Sequence, residues 1–110
     1  MMDDLKKKQN NTSAPPGLIA KQDVIAAVNQ MDGWCYISDG AHLFKRFDFN
    51  NYAQTMAFVN LIGWLARRNN HHPDCHFGYN YCEVCLTTHD AGGVTANDLT
   101  FAQALERLID

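Results

Sequence analysis

The sequence has no apolar run that approaches the roughly 20 residues a membrane-spanning helix requires. It also has no excess of positive charge, since 9 lysines and arginines stand against 12 acidic residues and the formal net charge is −3. Proteins that bind nucleic acid by neutralising phosphates usually carry a basic face, so the balance disfavours this class. We therefore expect neither a membrane nor a nucleic-acid partner.

A secretory signal is also missing, because the lysines of residues 1–8 are not followed by an apolar stretch. Residues 1–16 are polar and include a lysine run and Pro15-Pro16, which predicts a mobile tail ahead of one domain at residues 17–110. We expect a cytoplasmic protein whose four cysteines are reduced thiols. Hydrophobic residues make up 46% and charged residues 19% of the 110, an ordinary globular balance.

Two of the cysteines form a C-x-x-C pattern, Cys82 to Cys85, of the kind found in zinc and redox sites. The surrounding segment is rich in residues that favour strands, and strand positions three apart point to opposite faces. We therefore predict that Cys82 shares one face with Val84 and Leu86, whereas Cys85 lies on the other. The two thiols are interpreted as unrelated to each other.

Hydrophobic spacing and turn residues predict three helices and two β-hairpins. The predicted elements are a helix from about Leu18 to Met31 that ends at Gly33, strands Trp34–Ser38 and His42–Phe49 around Asp39-Gly40, a helix from Asn50 or Asn51 to about Asn69, strands Cys75–Tyr79 and Cys82–Thr88 turning near Asn80-Tyr81, and a last helix that opens at Thr95 to Asp98. This α-β-β-α-β-β-α order favours a single α+β domain, with a four-stranded antiparallel sheet and helices packed on one face.

The long predicted helix has a broad apolar surface. One stripe runs through Tyr52, Gly63 and Ala66, with Phe58 and Ile62 beside it. So wide a surface is typical of a helix that lies flat on a sheet.

Three of the five histidines lie at predicted element ends, His71 and His72 after the long helix and His89 after the last strand. Each hairpin returns the chain to the same side of a sheet, so these segments can come together, and loops at element ends often carry chemistry. Three interpretations stay open: scattered surface histidines, a zinc site that also uses Cys75, or a proton-transfer site. Imidazole, with an unperturbed pKa of about 6.5, can give and take protons at neutral pH.

A set of residues at characteristic intervals extends along the second half of the chain. These residues are Asn70-His71-His72-Pro73, Tyr79, Thr87-Thr88-His89-Asp90-Ala91-Gly92-Gly93 and Asn97-Asp98. They resemble the signature of pterin-4a-carbinolamine dehydratases. The resemblance continues upstream through Gly33-Trp34, the Phe-rich second strand and Phe58-Val59, and covers about residues 18 to 110. Several fixed residues at fixed intervals are more specific than one short motif.

The resemblance implies an enzyme, a hydro-lyase that converts 4a-hydroxytetrahydrobiopterin-type carbinolamines to quinonoid dihydropterin and water. This step recycles the pterin cofactor of aromatic amino acid hydroxylases, and because the pterin is the substrate, neither a metal nor an organic cofactor is expected. The resemblance assigns catalysis to His71, His72 and His89, with the first two as the main proton-transfer groups. The implied substrate-binding residues are Asn70, Thr87, Thr88, Asp90 and Asp98. For Asp98, a second role as a cap of the last helix is equally open.

Two positions depart from the family pattern. Arg67 stands where an acidic residue is common, four positions before His71, where a shared helix face would bring a like charge close to the imidazolium. Cys75 stands where an aromatic residue is common, which would remove part of an apolar wall from the site.

These departures favour an alternative function, a non-catalytic scaffold or regulator. Some members of the family that the chain resembles serve as the dimerisation cofactor of a homeodomain transcription factor. The resemblance also implies a homodimer or a homotetramer.

Overall fold

A computed structural model describes residues 17–109 and contains, within them, three α-helices and one four-stranded sheet. The elements in chain order are α1 (Lys21–Val28), β1 (Cys35–Ile37), β2 (His42–Asp48), α2 (Tyr52–Asn69), β3 (Asp74–Phe77), β4 (Tyr81–Leu86), a short 3-10 helix (His89–Ala91) and α3 (Ala96–Ile109). The predicted α+β class and element order are confirmed. The predicted tail at residues 1–16 lies outside the described residues.

The strands are all antiparallel to their neighbours and lie in the order β1-β2-β4-β3. In the central pair, Leu43 lies opposite Leu86 and Phe47 opposite Cys82, and all four side chains are buried in the core. Strand β4 alternates as predicted, because Cys82, Val84 and Leu86 are buried while Cys85 is only half-buried. Strands β1 and β3 form the edges, and every residue of β3 is exposed.

The helices cover one face of the sheet and share one core with it. The core residues from α2 are Thr55, Phe58, Ile62 and Leu65, and those from α3 are Asp98, Phe101, Ala102 and Leu105. The predicted stripe contacts this core only in part: Ala66 is half-buried and packs against it, whereas Tyr52 is 49% exposed and Gly63 is also exposed. That stripe lies about 100° around the helix from the Phe58 side, and a helix on a sheet buries only one such sector.

Several predicted boundaries were wrong by one to three residues, and two of these differences have a local cause. Helix α1 ends at Val28, and beyond it the N–H groups of Gln30 and Met31 donate to carbonyls three residues back. These tighter turns follow the α-helix although the apolar spacing continues to Met31, which is why the predicted helix was too long. The second hairpin turns at residues 78–80 and not at Asn80-Tyr81. The turn requires glycine at position 78, because a Cβ there would lie 2.5 Å from the ring of Tyr81 and would clash with it. No helix among residues 17–109 is long and apolar enough to cross a bilayer.

Candidate active site

The end of α2 determines how the first two histidines leave the helix. Asn70 has a left-handed backbone (φ 49°, ψ 42°), and the N–H groups of Asn70 and His71 donate to the carbonyls of Arg67 and Ala66 at 3.4 and 3.2 Å. This pair of bonds is a Schellman motif, in which asparagine is one of the few non-glycine residues that tolerate a positive φ. The chain therefore turns sharply between the helix and His71.

The prediction that Arg67 and His71 share a helix face was wrong. A four-residue spacing places side chains together only while the helix continues, and α2 ends at Asn69. Arg67 is exposed, and it does not line the cavity described below.

The second site segment follows β4 as a tight loop. The N–H of Thr88 donates to the carbonyl of Gly93 at 2.8 Å, and the carbonyl of Thr88 accepts from the N–H groups of Ala91 and Gly92, each at 3.0 Å. The 3-10 helix that begins at His89 lies inside this loop. The hydroxyl of Thr87 donates to the carbonyl of Ala41 at 3.0 Å, which fastens the loop to the β1–β2 turn.

The two segments meet around one cavity of about 230 Å³. Its walls are formed by Asn70, His71, His72, Thr87, Thr88, His89 and Asp90. These are all the residues that the resemblance assigns to the site except Asp98. Pockets for drug-sized ligands measure roughly 300–1,000 Å³, so this cavity suits a smaller molecule.

Asp98 lies behind His71, is completely buried and does not line the cavity. Its Oδ1 is 2.6 Å from Nε2 of His71, and its Oδ2 accepts from the hydroxyl of Thr88 (2.8 Å) and the N–H of Thr95 (2.9 Å). The hydroxyl of Thr95 accepts in turn from the N–H of Asn97 at 3.3 Å. The bond from the N–H of Thr95 to Asp98 is one half of a capping box at the start of α3, and the Thr95 hydroxyl caps the N–H of Asn97 instead of that of Asp98. One carboxylate thus caps the helix and contacts a site histidine.

These contacts define which nitrogen of His71 carries a proton in the neutral ring. Two donors already point at Oδ2 of Asp98, as they do at an ionised carboxylate, which can only accept hydrogen bonds. With Asp98 as a carboxylate, Nε2 of His71 is the donor to Oδ1, and Nδ1 has the free lone pair. The ring is only 13% exposed and also packs edge-on against Phe101, with the ring centroids 6.4 Å apart.

The other two site histidines lie on the open side of the cavity. His72 is exposed, and the side chain of His89 is 67% exposed, with its Nε2 3.6 Å from Oδ2 of Asp74. The remaining histidines, His42 and His76, do not line the cavity.

Cys75 was predicted to alter a wall of the site, but it is not a lining residue. It lies opposite Val84 in the β3–β4 ladder and so shares the face of Cys82. The neighbouring Cys82 thiol raises the pKa of the Cys75 thiol, and the Cys75 thiol lowers the pKa of Cys82. No group of three or more histidine, cysteine, aspartate or glutamate residues is arranged to hold a metal ion anywhere in residues 17–109. The zinc alternative therefore has no ligand set there.

The family model described as Pterin 4 alpha carbinolamine dehydratase matches residues 18–108. The chain belongs to this dehydratase family. A Nitrosospira multiformis protein named "Putative pterin-4-alpha-carbinolamine dehydratase" is 41% identical over 110 residues, covering 97% of this chain and 94% of that protein. A protein of the same name from Hydrogenovibrio crunogenus is 47% identical over 83 residues, covering 76% of this chain and 74% of that protein.

Two solved structures resemble this member of the dehydratase family. A transcriptional coactivator/pterin dehydratase from Brucella melitensis has a TM-score of 0.78 at 24% identity, over 84% of this chain and 98% of that chain, and it supports the fold. A pterin dehydratase-like protein identified as a RuBisCO assembly factor in the alpha-carboxysome has a TM-score of 0.61 at 32% identity, over 71% of this chain and 90% of that chain.

Sequence reasoning about this dehydratase-family chain missed two residues near the site. Asp74 approaches His89 because the start of β3 lies beside the end of β4, and the predicted antiparallel hairpin contained that signal. Thr95 lies behind Thr88, with their hydroxyl oxygens 2.7 Å apart. Nothing in the local pattern distinguished Thr95 from an ordinary helix cap.

Proposed function

We propose that this protein dehydrates 4a-hydroxytetrahydropterins to quinonoid dihydropterins, with the release of water. The observation that carries the proposal is the cavity in which three imidazoles from two chain segments meet, in a member of a dehydratase family. In this role the protein recycles the pterin cofactor of aromatic amino acid hydroxylases.

The reaction requires two proton transfers. One proton is added to the 4a-hydroxyl as the C4a–O bond breaks and water leaves. Another proton leaves the neighbouring ring nitrogen, whose N–H electron pair forms the new C–N double bond. General acid–base catalysis of such transfers is typically worth about 10²–10⁴-fold in rate, and imidazole can perform either transfer at neutral pH.

We assign proton abstraction to His71, since its Nε2 contacts Asp98 and its Nδ1 has the free lone pair. His72 is the proposed acid for the departing hydroxyl, and His89 is a partner acid or base that also orients the substrate. Both lie at the open side of the cavity, where a leaving water molecule has access to solvent.

The remaining wall residues are proposed to contact the pterin. Asn70 and Asp90 present amide and carboxylate groups of the kind that recognise the polar edge of a two-ring heterocycle, and Thr87, whose hydroxyl proton goes to Ala41, presents its oxygen as an acceptor. We propose that neither a metal nor an organic cofactor takes part, because the substrate itself undergoes the whole bond change. Turnover that is unchanged after dialysis against a chelator is the expected result, and loss of turnover restored by added zinc contradicts it.

The decisive experiment measures turnover of a 4a-carbinolamine pterin by His71→Ala, His72→Ala and His89→Ala. We expect losses of about 100-fold or more for the first two, the usual range for a missing acid or base, and a smaller loss for the third. His76→Ala is the matched control, because His76 is 77% exposed and outside the cavity. Folded His71→Ala and His72→Ala proteins with full turnover, or a wild type without turnover, contradict the proposal.

A second candidate function is the non-catalytic assembly or regulation of another protein. It is favoured by the likeness to the pterin dehydratase-like RuBisCO assembly factor, which is 32% identical. A well-folded wild type that shows no turnover is the expected result under this alternative. Turnover abolished by His72→Ala, with the fold intact, argues against it as the sole function.

We also propose that the protein forms a homodimer or a homotetramer. The edge strand β3 is exposed along its whole length, and a strand edge has unpaired backbone groups with which a second copy can pair. Light scattering measures the mass, and a monomer at assay concentrations contradicts this proposal. The cytoplasmic location stays a prediction, with which the four free cysteines agree.

A further inference from the structure

Three buried polar side chains behind His71 form one continuous hydrogen-bonded chain. Thr95 and Asp98 are completely buried, and Thr88 is 8% exposed. The hydroxyl oxygens of Thr95 and Thr88 are 2.7 Å apart, and Thr88 Oγ1 is 2.8 Å from Oδ2 of Asp98. The chain ends at His71, 2.6 Å from the second carboxylate oxygen.

The direction of the hydrogen bonds in this chain follows from the number of protons available. Asp98 as a carboxylate only accepts, so Thr88 must give its single hydroxyl proton to Asp98. Thr88 can then only accept from Thr95, whose proton points to Thr88 while its oxygen accepts the N–H of Asn97. The hydroxyl protons of Thr88 and Thr95 are therefore both used. Since Oδ1 of the carboxylate can only accept, Nε2 of His71 must be the donor in the bond between them.

The commitment of these protons changes what Thr88 can do in the site. Although Thr88 lines the cavity, its hydroxyl proton points away to Asp98 and is not available to a bound pterin. Its backbone carbonyl accepts from the loop that holds His89, through Ala91 and Gly92. Thr88 therefore connects the loop that holds His89 with Asp98, the residue that contacts His71.

We infer that Thr88 is a positioning residue for His71, acting through Asp98: its hydroxyl, backed by that of Thr95, holds the Asp98 carboxylate in place against Nε2 of His71, and so keeps the proton of neutral His71 on Nε2 and leaves Nδ1 free for the substrate. This inference rests on the proposed function for its effect on turnover. Its effect on the His71 tautomer does not depend on turnover.

The test compares Thr88→Val, which keeps the shape and removes the hydroxyl, with Thr88→Ser, which keeps the hydroxyl. ¹⁵N NMR of the imidazoles, with His71 assigned through His71→Gln, reports which ring nitrogen carries the proton. We expect Thr88→Val to shift the population toward the Nδ1–H form and to lower kcat about tenfold with little change in KM, the size of effect expected when one hydrogen bond to a charged group is lost. Thr88→Ser should restore both readings.

Several outcomes overturn the inference. A folded Thr88→Val protein with the wild-type tautomer does so, and so does a raised KM at unchanged kcat, which would make Thr88 a substrate contact. If Thr88→Val does not fold, Thr88→Cys, a similar side chain with a weak donor, replaces it with the same expectations. A wild type without turnover in which Thr88→Val still shifts the tautomer refutes the proposed function and supports the positioning role.

Discussion

Replacement of Asp98 by asparagine tests the contact on which the proposed chemistry depends most. The side chain keeps its shape but loses its charge and gains an NH₂ group, which must face either His71 or the two donors on the other side. With Thr88 and Thr95 both donating to one oxygen, the NH₂ is expected to face His71 and donate to its Nε2. The ring proton then moves to Nδ1, the atom proposed to receive the substrate proton.

The magnitude follows from the geometry of this site. A general base with no free lone pair loses the contribution of base catalysis, so we expect kcat to fall by about 10²–10⁴-fold. KM should change little, because Asp98 does not line the cavity. Hydrogen bonds to a charged group contribute roughly 1.5–3 kcal/mol and neutral ones roughly 0.5–1.5, so weakening the contacts of Asp98 should lower the free energy of unfolding by about 1–3 kcal/mol.

Stopped-flow turnover of the carbinolamine measures kcat and KM, and urea unfolding measures the stability. Asp48→Asn is the matched control, since it makes the same chemical change on an exposed carboxylate that pairs, within residues 17–109, with Arg46 alone. An Asp98→Asn protein with wild-type kcat would refute the proposed use of His71. A raised KM at unchanged kcat would instead show that Asp98 contacts the substrate.

Three further predictions concern the fold and the thiols. Asn70→Gly should leave the free energy of unfolding nearly unchanged, whereas Asn70→Ala should lower it by about 1–2 kcal/mol, because alanine resists a positive φ and glycine does not. Equal urea midpoints for the two variants would contradict the Schellman turn. Glu106→Ala should cost about 2–4 kcal/mol in the same assay, since it removes the 2.9 Å carboxylate partner of Lys45, whose side chain is 13% exposed, and the acceptor of the Trp34 indole N–H. Lys45→Met combined with Glu106→Leu should cost less, because no unpaired charge is left, and equal losses would argue against a buried pair. Cys75 should react slowly with iodoacetamide at pH 8 although it is exposed, because the neighbouring Cys82 thiol raises its pKa and reduces the thiolate fraction. The rate should rise in Cys82→Ala, and mass spectrometry that finds equal rates of Cys75 alkylation in the wild type and in Cys82→Ala would contradict this.

The order of the elements and the faces of the central strands could be predicted, because they depend on local periodicity. The alternation of Cys82, Val84 and Leu86 is a property of any half-covered strand, and it distinguished Cys82 from Cys85 without a structure. Predictions from periodicity failed where a backbone turn replaced the helix. Arg67 and His71 have helical spacing, but the helix ends at Asn69 and the left-handed Asn70 turns the chain, so the two side chains do not share a helix face.

The wall of the candidate site could be named from the family resemblance, but its internal contacts could not. The bond between His71 and Asp98 joins residues 27 positions apart, and which donors surround the carboxylate depends on how the loop at Thr88 packs. The Cys75–Cys82 contact was missed for a similar reason, since it depends on the register of β3 against β4.

The carboxylate that caps the start of α3 is also the one that contacts His71. If the protein acts as proposed, fraying of the first turn of α3 releases the imidazole together with the helix. Loss of turnover on heating is then expected to accompany the melting of that turn, and the temperature at which turnover stops would report how firmly α3 is docked.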